Sequence, residues 1–292
     1  MSQTKIYAPT WKDYELIDAG GSKKLERWGD IITIRPERQA YFKSGLSFDK
    51  WYEQAHWEFE EKGKKGFWKQ LQPDAPKSWT VTINDLKIEL ALTKFKHIGL
   101  FPEQMVNWKY ITQELNAEKR MLNLFAYTGV ASLVGRATKA DVVHVDAVKQ
   151  VISWSRKNME LSQLSDIRWV HEDALKFAQR EVKRGNKYDL LIMDPPAWGI
   201  GANNEKWKLE DQLPELMVLA KNLLTKGGTL ILNTYSPQIK TNDIQRLVAE
   251  FFPTSNLSIQ ELWMKSATGK ELYFGLLCRG VLDCYKNKTI SE

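Results

Sequence analysis

The stretch Leu190–Gly199 reads Leu-Leu-Ile-Met-Asp-Pro-Pro-Ala-Trp-Gly. Its apolar start is typical of a buried parallel strand, and the two prolines cannot continue a strand because they lack the backbone N–H of the ladder. The chain therefore leaves the predicted sheet at Asp194, at the carboxyl end of a strand, where open α/β sheets bind ligands. Pro195 and Pro196 would aim carbonyls there, and Trp198 would offer a surface for stacking a planar base. A proline-rich strand exit with a packed tryptophan is the plainer alternative.

A second candidate turn lies upstream, after the apolar run Met121–Phe125. Tyr127-Thr128-Gly129 forms the predicted turn, and a helix is predicted from Val130. Gly129 allows a ligand to approach the backbone, and the first N–H groups of the helix are free to bind it. No Gly-x-Gly-x-x-Gly run occurs in the chain, which argues against a dinucleotide site with its pyrophosphate on the helix.

Two further acids end predicted strands. Asp146 closes the strand Asp141–Asp146, 17 residues beyond Gly129. An acid at that distance is the usual partner of ribose hydroxyls in a βαβ nucleoside site. Asp173 closes a third strand, where an adenine edge can be bound. Each acid can also be a helix N-cap, and the two roles are compatible. The joint order of strand-end groups, from Asn123 and Gly129 through both acids to Asp194, is more specific than any one of them.

These motifs in this order resemble the class I S-adenosylmethionine-dependent methyltransferases. The resemblance is carried by Leu-Asn-Leu-Phe-Ala-Tyr-Thr-Gly (122–129), Val-Asp with a downstream Asn158, Glu-Asp-Ala (172–174) and Asp-Pro-Pro-x-Trp. Within the class, the chain is similar to the branch that contains bacterial large-subunit ribosomal RNA base methyltransferases. The segment Ile98–Gln104 is similar to a Gly-Leu-Phe element of that branch. The resemblance covers roughly Leu92 to Arg279.

The resemblance implies a site. S-adenosylmethionine would be bound by Asn123, Phe125, Ala126, Tyr127, Thr128, Gly129, Asp146, Ala147, Asn158, Asp173, Ala174 and Asp194. Asp146 would take the ribose hydroxyls, Asp173 the adenine amine, and Phe125 to Gly129 would surround the methionine moiety. The methyl-transfer site would be bordered by Asp194, Pro195, Pro196 and Trp198.

The chain departs from the family pattern in two places. The wider superfamily usually has glycine where Tyr127 stands. Members that methylate carbon 5 of cytosine use a cysteine on the strand after the Asp-Pro-Pro motif, and the segment Gly228–Pro237 contains none. The two cysteines of the chain, Cys278 and Cys284, lie near the C-terminus. We therefore expect direct methyl transfer without a cysteine nucleophile.

Length and composition limit the possible domain organisation, cellular location and metal content. At 292 residues the chain can hold two domains, and we predict a small β-rich N-terminal domain over 1–95 and a methyltransferase domain over 96–292. Substrate recruitment is the simplest role for the N-terminal domain. The predicted core is Rossmann-like, with a mostly parallel sheet, helices on both faces and an antiparallel terminal strand. Two cysteines, no apolar leader and no membrane-length apolar run favour a cytoplasmic protein. Four histidines without ligand spacing argue against a metal.

The acceptor is less well defined than the cofactor. A net charge of +6, and lysines interleaved with aromatic residues between Glu53 and Lys69, are compatible with RNA. Those aromatic residues can equally form the core of a small domain. An RNA base methyltransferase is the leading hypothesis, with ribosomal RNA preferred. A methyltransferase of protein side chains or small molecules, and a noncatalytic module binding RNA or an adenosine ligand, are the alternatives. The sequence leaves the base, the RNA and the oligomeric state open.

Overall fold

The computed structural model describes residues 4–63, 65–200 and 206–282. The first third of the chain is mostly strand. Its elements are β1 (Lys5–Tyr7), β2 (Tyr14–Gly20), β3 (Lys23–Trp28), β4 (Ile31–Pro36), α1 (Phe48–Gln54), β5 (Trp57–Lys62), β6 (Lys65–Gln70), β7 (Ser78–Ile83) and β8 (Leu86–Ala91). Strands β2 to β6 form a five-stranded sheet in chain order, and β7 pairs with β8 as a hairpin.

From residue 102 onward, helices and strands alternate. A 3-10 turn at Pro102–Gln104 precedes α2 (Met105–Glu114), β9 (Arg120–Leu124), α3 (Val130–Ala137), β10 (Asp141–Asp146), α4 (Lys149–Leu161), β11 (Ile167–His171), α5 (Ala174–Lys183) and β12 (Tyr188–Met193). There follow β13 (Trp198–Ile200), β14 (Lys206–Lys208), α6 (Leu209–Leu223), β15 (Leu224–Thr234), α7 (Thr241–Phe251), β16 (Ser258–Lys265) and β17 (Glu271–Val281).

The central sheet has eight strands in the order β1-β16-β17-β15-β12-β9-β10-β11. Strands β9, β10, β11, β12 and β15 are parallel, and β17 runs antiparallel between β15 and β16. This confirms the predicted Rossmann-like core with an antiparallel terminal strand. The parallel strands place their carboxyl ends at one edge of the sheet, which is where the predicted site residues follow them.

Both faces of the sheet are buried. On β9, Met121 packs into an apolar cluster with Leu133 of α3, whereas Leu122 packs into a second cluster with Phe177 of α5 and Leu216 of α6. Successive strand residues point to opposite faces, so each face must be covered by helices. The near-continuous apolar runs of β9 and β12 follow from this double burial.

The structure differs from the sequence predictions in several element bounds. The sequence predicts strands at Tyr14–Asp18 and Asp30–Arg35 with Gly20-Gly21 as a turn between them. The structure adds strand β3 after that turn, and its sequence Lys-Lys-Leu-Glu-Arg-Trp is too highly charged to show the pattern of a strand. The sequence also predicts a helix over Lys206–Leu224 with a kink or break at Pro214. The helix begins instead at Leu209, because Lys206–Lys208 pair with Trp198–Ile200 as a hairpin. Pro214 lies inside this helix and does not break it. The first strand, β1, pairs with β16 in the central sheet. The division of domains at residue 95 stays a prediction.

Within the described ranges, no helix is long and apolar enough to cross a membrane.

Candidate active site

A cavity of about 1050 Å³ opens at the carboxyl ends of the parallel strands. Nine residues predicted for the site line it: Phe125, Tyr127, Asp146, Ala147, Asp173, Ala174, Asp194, Pro195 and Pro196. They come from the ends of four strands, β9, β10, β11 and β12, and meet because parallel strands end together. The volume lies at the upper end of the range of small-molecule sites, so a cofactor and an acceptor group can share it.

The turn after β9 is conformationally unusual. Phe125 (φ 58°) and Tyr127 (φ 49°) are in the left-handed region, as is Gly129 (φ 84°). Non-glycine residues in this region carry strain, which concentrates at ligand sites. A positive φ at Tyr127 also gives a physical reason for the glycine that the wider superfamily has there, because glycine adopts this conformation without a steric cost. A Cβ at Gly129 would lie 3.0 Å from the Cβ of Ser155, so this position lacks room for a side chain.

Asp146 holds this turn in place. Its Oδ2 accepts a hydrogen bond from the backbone N–H of Tyr127 at 2.9 Å, and its Oδ1 accepts one from Val148 at 2.8 Å. Burial raises the pKa of its carboxyl above the ordinary value of 3.8. The carboxylate thus joins the end of β10 to the turn after β9 while lining the cavity.

Asp173 caps helix α5 and also lines the cavity. Its Oδ1 accepts a hydrogen bond from the backbone N–H of Lys176 at 2.9 Å, as an N-cap does. The capping role anticipated for Asp173 is present, and it leaves the residue on the cavity wall beside Ala174.

Asp194 is held by a hydrogen bond from Gln104, a residue that was not among the predicted site residues. Gln104 donates through Nε2 to Asp194 Oδ2 at 3.1 Å. The Oε1 atom of the same Gln104 accepts from Asn107 at 2.8 Å and from Asn233 at 2.9 Å, so the amide orientation is fixed. Burial raises the pKa of the Asp194 carboxyl to about 6. Gln104 ends the Ile98–Gln104 segment, which was the available signal for it.

Glu103 is a second buried carboxyl on the cavity wall. Burial raises its pKa to about 7, and the nearby charge of Asp194 acts in the same direction. Its Oε2 atom has no hydrogen-bond partner among the described residues. The two neighbouring carboxyls give this part of the cavity a charge that depends on pH near neutrality.

Trp207, and not Trp198, is the tryptophan beside the proline turn. The Trp207 indole Nε1 donates to the carbonyl of Pro196 at 2.6 Å, and its ring lies 5.2 Å from that of Phe125. Trp198 is 59% exposed and does not line the cavity. Its exposure argues against the packed-core alternative, whereas its stacking role stays a prediction. No sequence signal singled out Trp207, because the hairpin that brings it back was not predicted.

Five other residues predicted to bind the cofactor do not line the cavity: Asn123, Ala126, Thr128, Gly129 and Asn158. Asn123 donates to Ser132 Oγ at 2.9 Å. The Thr128 hydroxyl donates to the carbonyl of Gly99, and Asn158 donates to the carbonyl of Thr128 at 3.1 Å. In this geometry they support the turn, and their predicted contact with the cofactor stays a prediction.

The N-terminal sheet builds the far side of the cavity. Lys24, Arg35 and Glu37 line it, and they belong to a buried ion network with Glu26. Arg35 pairs with Glu26 at 2.6 Å, and Lys24 lies 3.3 Å from Glu26 and 3.6 Å from Glu37. The hydroxyl of Tyr235, at the end of β15, donates to Glu37 at 3.2 Å. The cavity therefore has one wall from the strand ends and one from the N-terminal sheet.

The hydrogen-bond acceptors on the strand-end wall of the cavity fit a nucleoside cofactor. Two carboxylates, Asp146 and Asp173, face the cavity at neighbouring strand ends, with the small side chains of Ala147 and Ala174 beside them. Such a wall combines acceptors for hydroxyl or amine groups with room for a flat ring. Within the described part of the chain, no cluster of three or more His, Cys, Asp or Glu side chains has the arrangement of a metal site.

A Rossmann-like sheet with acids at neighbouring strand ends is the arrangement of an α/β protein that binds a nucleoside or nucleotide, and comparison with known proteins identifies the family. The sequence model of the S-adenosylmethionine-dependent methyltransferases matches residues 66–255. The crystal structure of a SAM-dependent methyltransferase from Agrobacterium tumefaciens superposes with a TM-score of 0.87 at 33% identity, covering 96% of this chain and 97% of that one. The chain belongs to the S-adenosylmethionine-dependent methyltransferase family, and S-adenosylmethionine is its cofactor.

Two other similar proteins extend the comparison. The "Ribosomal RNA large subunit methyltransferase K/L" of Pseudoalteromonas translucida is 30% identical over 171 residues, which cover 56% of this chain and 23% of that protein. The chain thus spans about a quarter of the length of that curated relative. A chain described as a methyltransferase and complexed with SAH superposes with a TM-score of 0.76 at 16% identity, over 94% of this chain and 76% of that one. This second likeness concerns the fold alone.

Proposed function

We propose that this methyltransferase acts on a base of RNA, with ribosomal RNA as the preferred substrate, by direct transfer without a cysteine nucleophile. The observation that carries the proposal is the two-walled cavity. Its strand-end wall suits the cofactor, and the remaining space between Asp194, Tyr235 and Lys24 suits a planar, polar acceptor. A base in a duplex must be unpaired or flipped to enter such a space.

The cofactor half of the proposal assigns roles to the strand-end acids. Asp146 accepts from the ribose hydroxyls, and Asp173 accepts from the adenine amine. The turn from Phe125 to Gly129 surrounds the methionine moiety. S-adenosylmethionine supplies the methyl group, and the sulfonium sulfur that carries this methyl group is the leaving group. The protein therefore has to bind the two reactants and orient them, and most of the rate comes from that proximity.

On the acceptor side, Asp194 is the polar group closest to the proline turn in the chain. With a pKa of about 6, its carboxyl is largely ionised at neutral pH and can accept a hydrogen bond from a ring or exocyclic N–H of the base. The carbonyl of Pro195 adds a second acceptor. The carbonyl of Pro196 already accepts from Trp207, which fixes the turn.

A cysteine mechanism finds no support in the described residues. Cys278 lies on β17, opposite Leu232 of β15, and is buried in the apolar cluster on the α5–α6 face. Burial raises the pKa of its thiol to about 12, so the nucleophilic thiolate is scarce at neutral pH. The other cysteine, Cys284, lies outside the described residues.

Two observations support RNA as the acceptor. The curated relatives of this chain carry names of large-subunit ribosomal RNA methyltransferases. The chain has 42 basic and 36 acidic residues, a net charge of +6 that attracts phosphate. A ribosomal substrate also implies that the protein acts in the cytoplasm.

Mass spectrometry of nucleosides tests the proposal. Ribosomal RNA from a strain lacking the gene is incubated with the purified protein and deuterated cofactor, beside the Asp194→Ala variant as a control. One base-methylated nucleoside should carry the label with the wild-type protein and lose it with the variant. Label that appears only in protein or in small molecules would overturn the RNA assignment in favour of the alternative acceptor classes.

A further inference from the structure

We propose that the loop Thr93–His97 binds an unpaired nucleotide next to the acceptor nucleotide in the RNA. The base of this neighbouring nucleotide stacks on Phe95, and its phosphate pairs with Lys94. We name this loop the rim platform. The inference rests on the proposed RNA substrate and adds a binding subsite to it. Nothing in the methyl-transfer reaction itself requires these two side chains.

The rim platform lies where the cavity meets solvent. Phe95 is 70% exposed, and it nevertheless lines the cavity together with Lys94 and Lys96. Single exposed apolar side chains are common on protein surfaces and need no explanation by themselves. This one differs because it combines exposure with a position at the mouth of the site and a lysine on each side. An acceptor entering the cavity from solvent has to pass it.

The loop is held in place by hydrogen bonds on both sides. The Trp68 indole Nε1, on strand β6, donates to the carbonyls of Thr93 at 3.0 Å and Phe95 at 3.3 Å. The Thr93 hydroxyl accepts from the backbone N–H of Phe95 at 3.0 Å and donates to the carbonyl of His97 at 2.8 Å. The exposed ring is therefore presented on a braced backbone. A preorganised surface binds more tightly because less freedom is lost on binding.

The chemistry of the rim platform matches single-stranded RNA. Unpaired bases stack on aromatic rings, and the phosphates between them need cations. Lys94 is exposed and can supply that charge, whereas Lys96 is anchored by a hydrogen bond from its Nζ to the carbonyl of Pro36 at 3.2 Å. Arg35, whose guanidinium donates to the carbonyl of Lys96 at 3.0 Å, adds positive charge behind the loop. The alternation of cation and ring favours a nucleotide over an apolar peptide as the occupant.

The chain contains a matched control for Phe95. On strand β6, Phe67 is 50% exposed and lies between Lys65 and Lys69 on the same face of the strand, yet it does not line the cavity. Replacing either phenylalanine removes the same side chain from a lysine-flanked, exposed position. The two sites differ in exposure and in backbone structure, but only Phe95 lines the cavity, so a nonspecific contribution of exposed aromatic rings to RNA binding would appear in both variants.

Fluorescence anisotropy with a labelled, mixed-sequence, single-stranded RNA oligonucleotide measures the effect directly. Phe95→Ala should weaken binding about 5- to 150-fold, the range of one stacked base, and raise the KM for ribosomal RNA without lowering kcat. Lys94→Gln should reduce the slope of log affinity against log salt by about 1, the signature of one lost phosphate contact. Phe67→Ala should stay within twofold of wild type. Affinity for S-adenosylhomocysteine, measured by calorimetry, should be unchanged in all three variants.

The outcomes separate the rim platform from the proposed function. If wild-type protein binds and methylates RNA but Phe95→Ala behaves like Phe67→Ala, the rim platform is wrong and the RNA substrate stands. If wild-type protein neither binds nor methylates RNA, both are wrong. Phe95→Leu provides a second variant that keeps an apolar side chain on the loop but removes the ring. Retained RNA affinity in Phe95→Leu would show that stacking is not the contact.

Discussion

Asp146 is the residue whose substitution tests the cofactor site most directly, and its two hydrogen bonds set the expected magnitudes. Asp146→Asn replaces one carboxylate oxygen with an amide NH₂, so one of the two backbone N–H donors, from Tyr127 or Val148, loses its acceptor. The variant also loses the negative charge. A hydrogen bond to a charged group contributes about 1.5–3 kcal/mol, and the other bond keeps the turn after β9 largely in place.

If the carboxylate also accepts from the ribose hydroxyls, cofactor affinity falls by a similar amount. A loss of about 2–3 kcal/mol corresponds to a dissociation constant raised roughly 30- to 160-fold. Isothermal titration calorimetry with S-adenosylhomocysteine measures this change, and thermal melts of the ligand-free variant report the loss of the backbone bond separately. Asp146→Ala removes both backbone bonds and should lower the melting temperature further than Asp146→Asn.

A control variant distinguishes direct contact from a disturbed turn. Ser155 donates to the carbonyl of Tyr127 at 2.8 Å and does not line the cavity. Ser155→Ala therefore loosens the same turn without touching the bound cofactor. An affinity within twofold of wild type for folded Asp146→Asn would refute the ribose role. An equal loss of affinity in Ser155→Ala would show that Asp146 acts only by holding Tyr127.

The wild-type protein should lose stability as the pH rises from about 4.5 to 7, because the buried Glu103 carboxyl, with a pKa of about 7, holds a proton that the unfolded chain has released. Glu103→Gln should remove this loss, and thermal melts across that pH range test it. Gly129→Ala should cost at least about 1–2 kcal/mol in urea unfolding, since φ is 84° and space is short. Cys278→Ala should keep the initial rate of methyl transfer. Trp198→Ala should keep the melting temperature but slow transfer about 10- to 100-fold, as expected for a lost stacking contact.

Each of these has a contrary result. A Glu103→Gln protein with the pH dependence of wild type would place the titration elsewhere. Unchanged stability of Gly129→Ala would mean that the turn can relax. A large rate loss in well-folded Cys278→Ala, or a trapped covalent RNA adduct, would restore the cysteine mechanism. Normal transfer by Trp198→Ala would leave Trp207 as the aromatic residue of the proline turn, and Trp207→Ala would be the next variant.

The strand-end wall of the cavity was predictable because Asp146 and Asp194 end largely apolar strands, and Asp173 follows a shorter, partly exposed edge strand that the alternation of strands and helices still indicated. Asp146, Asp173 and Asp194 are 48 residues apart from first to last, yet a parallel sheet brings their strands to a common edge. Once the strands were recognised, the proximity of the acids followed from topology. The element bounds were less accurate where a short hairpin interrupted the pattern, as at Trp198 and Trp207.

The opposite wall was not predictable by the same reasoning. Lys24, Arg35 and Glu37 have the polarity of exposed residues, and period-2 alternation of apolar side chains does not detect a strand whose buried face is ionic. Their burial depends on pairing within the network, which a sequence pattern does not reveal. Gln104 was visible only as part of a quoted motif, and its bond to Asp194 spans 90 residues.

The turn after β9 is connected by hydrogen bonds to the hairpin β7–β8, which precedes the mouth of the cavity. Asn158 accepts through Oδ1 from the backbone N–H of Glu89 in strand β8 at 2.9 Å, and donates through Nδ2 to the carbonyl of Thr128 in the cofactor turn at 3.1 Å. Because both ends of this buried amide are used, the hairpin β7–β8 and the turn after β9 share one hydrogen-bonded support. The hairpin leads directly into the loop Thr93–His97. A single polar side chain therefore ties the position of the cofactor turn to the chain segment that forms the mouth of the cavity, which gives Asn158 a structural reason to be present without lining the cavity itself.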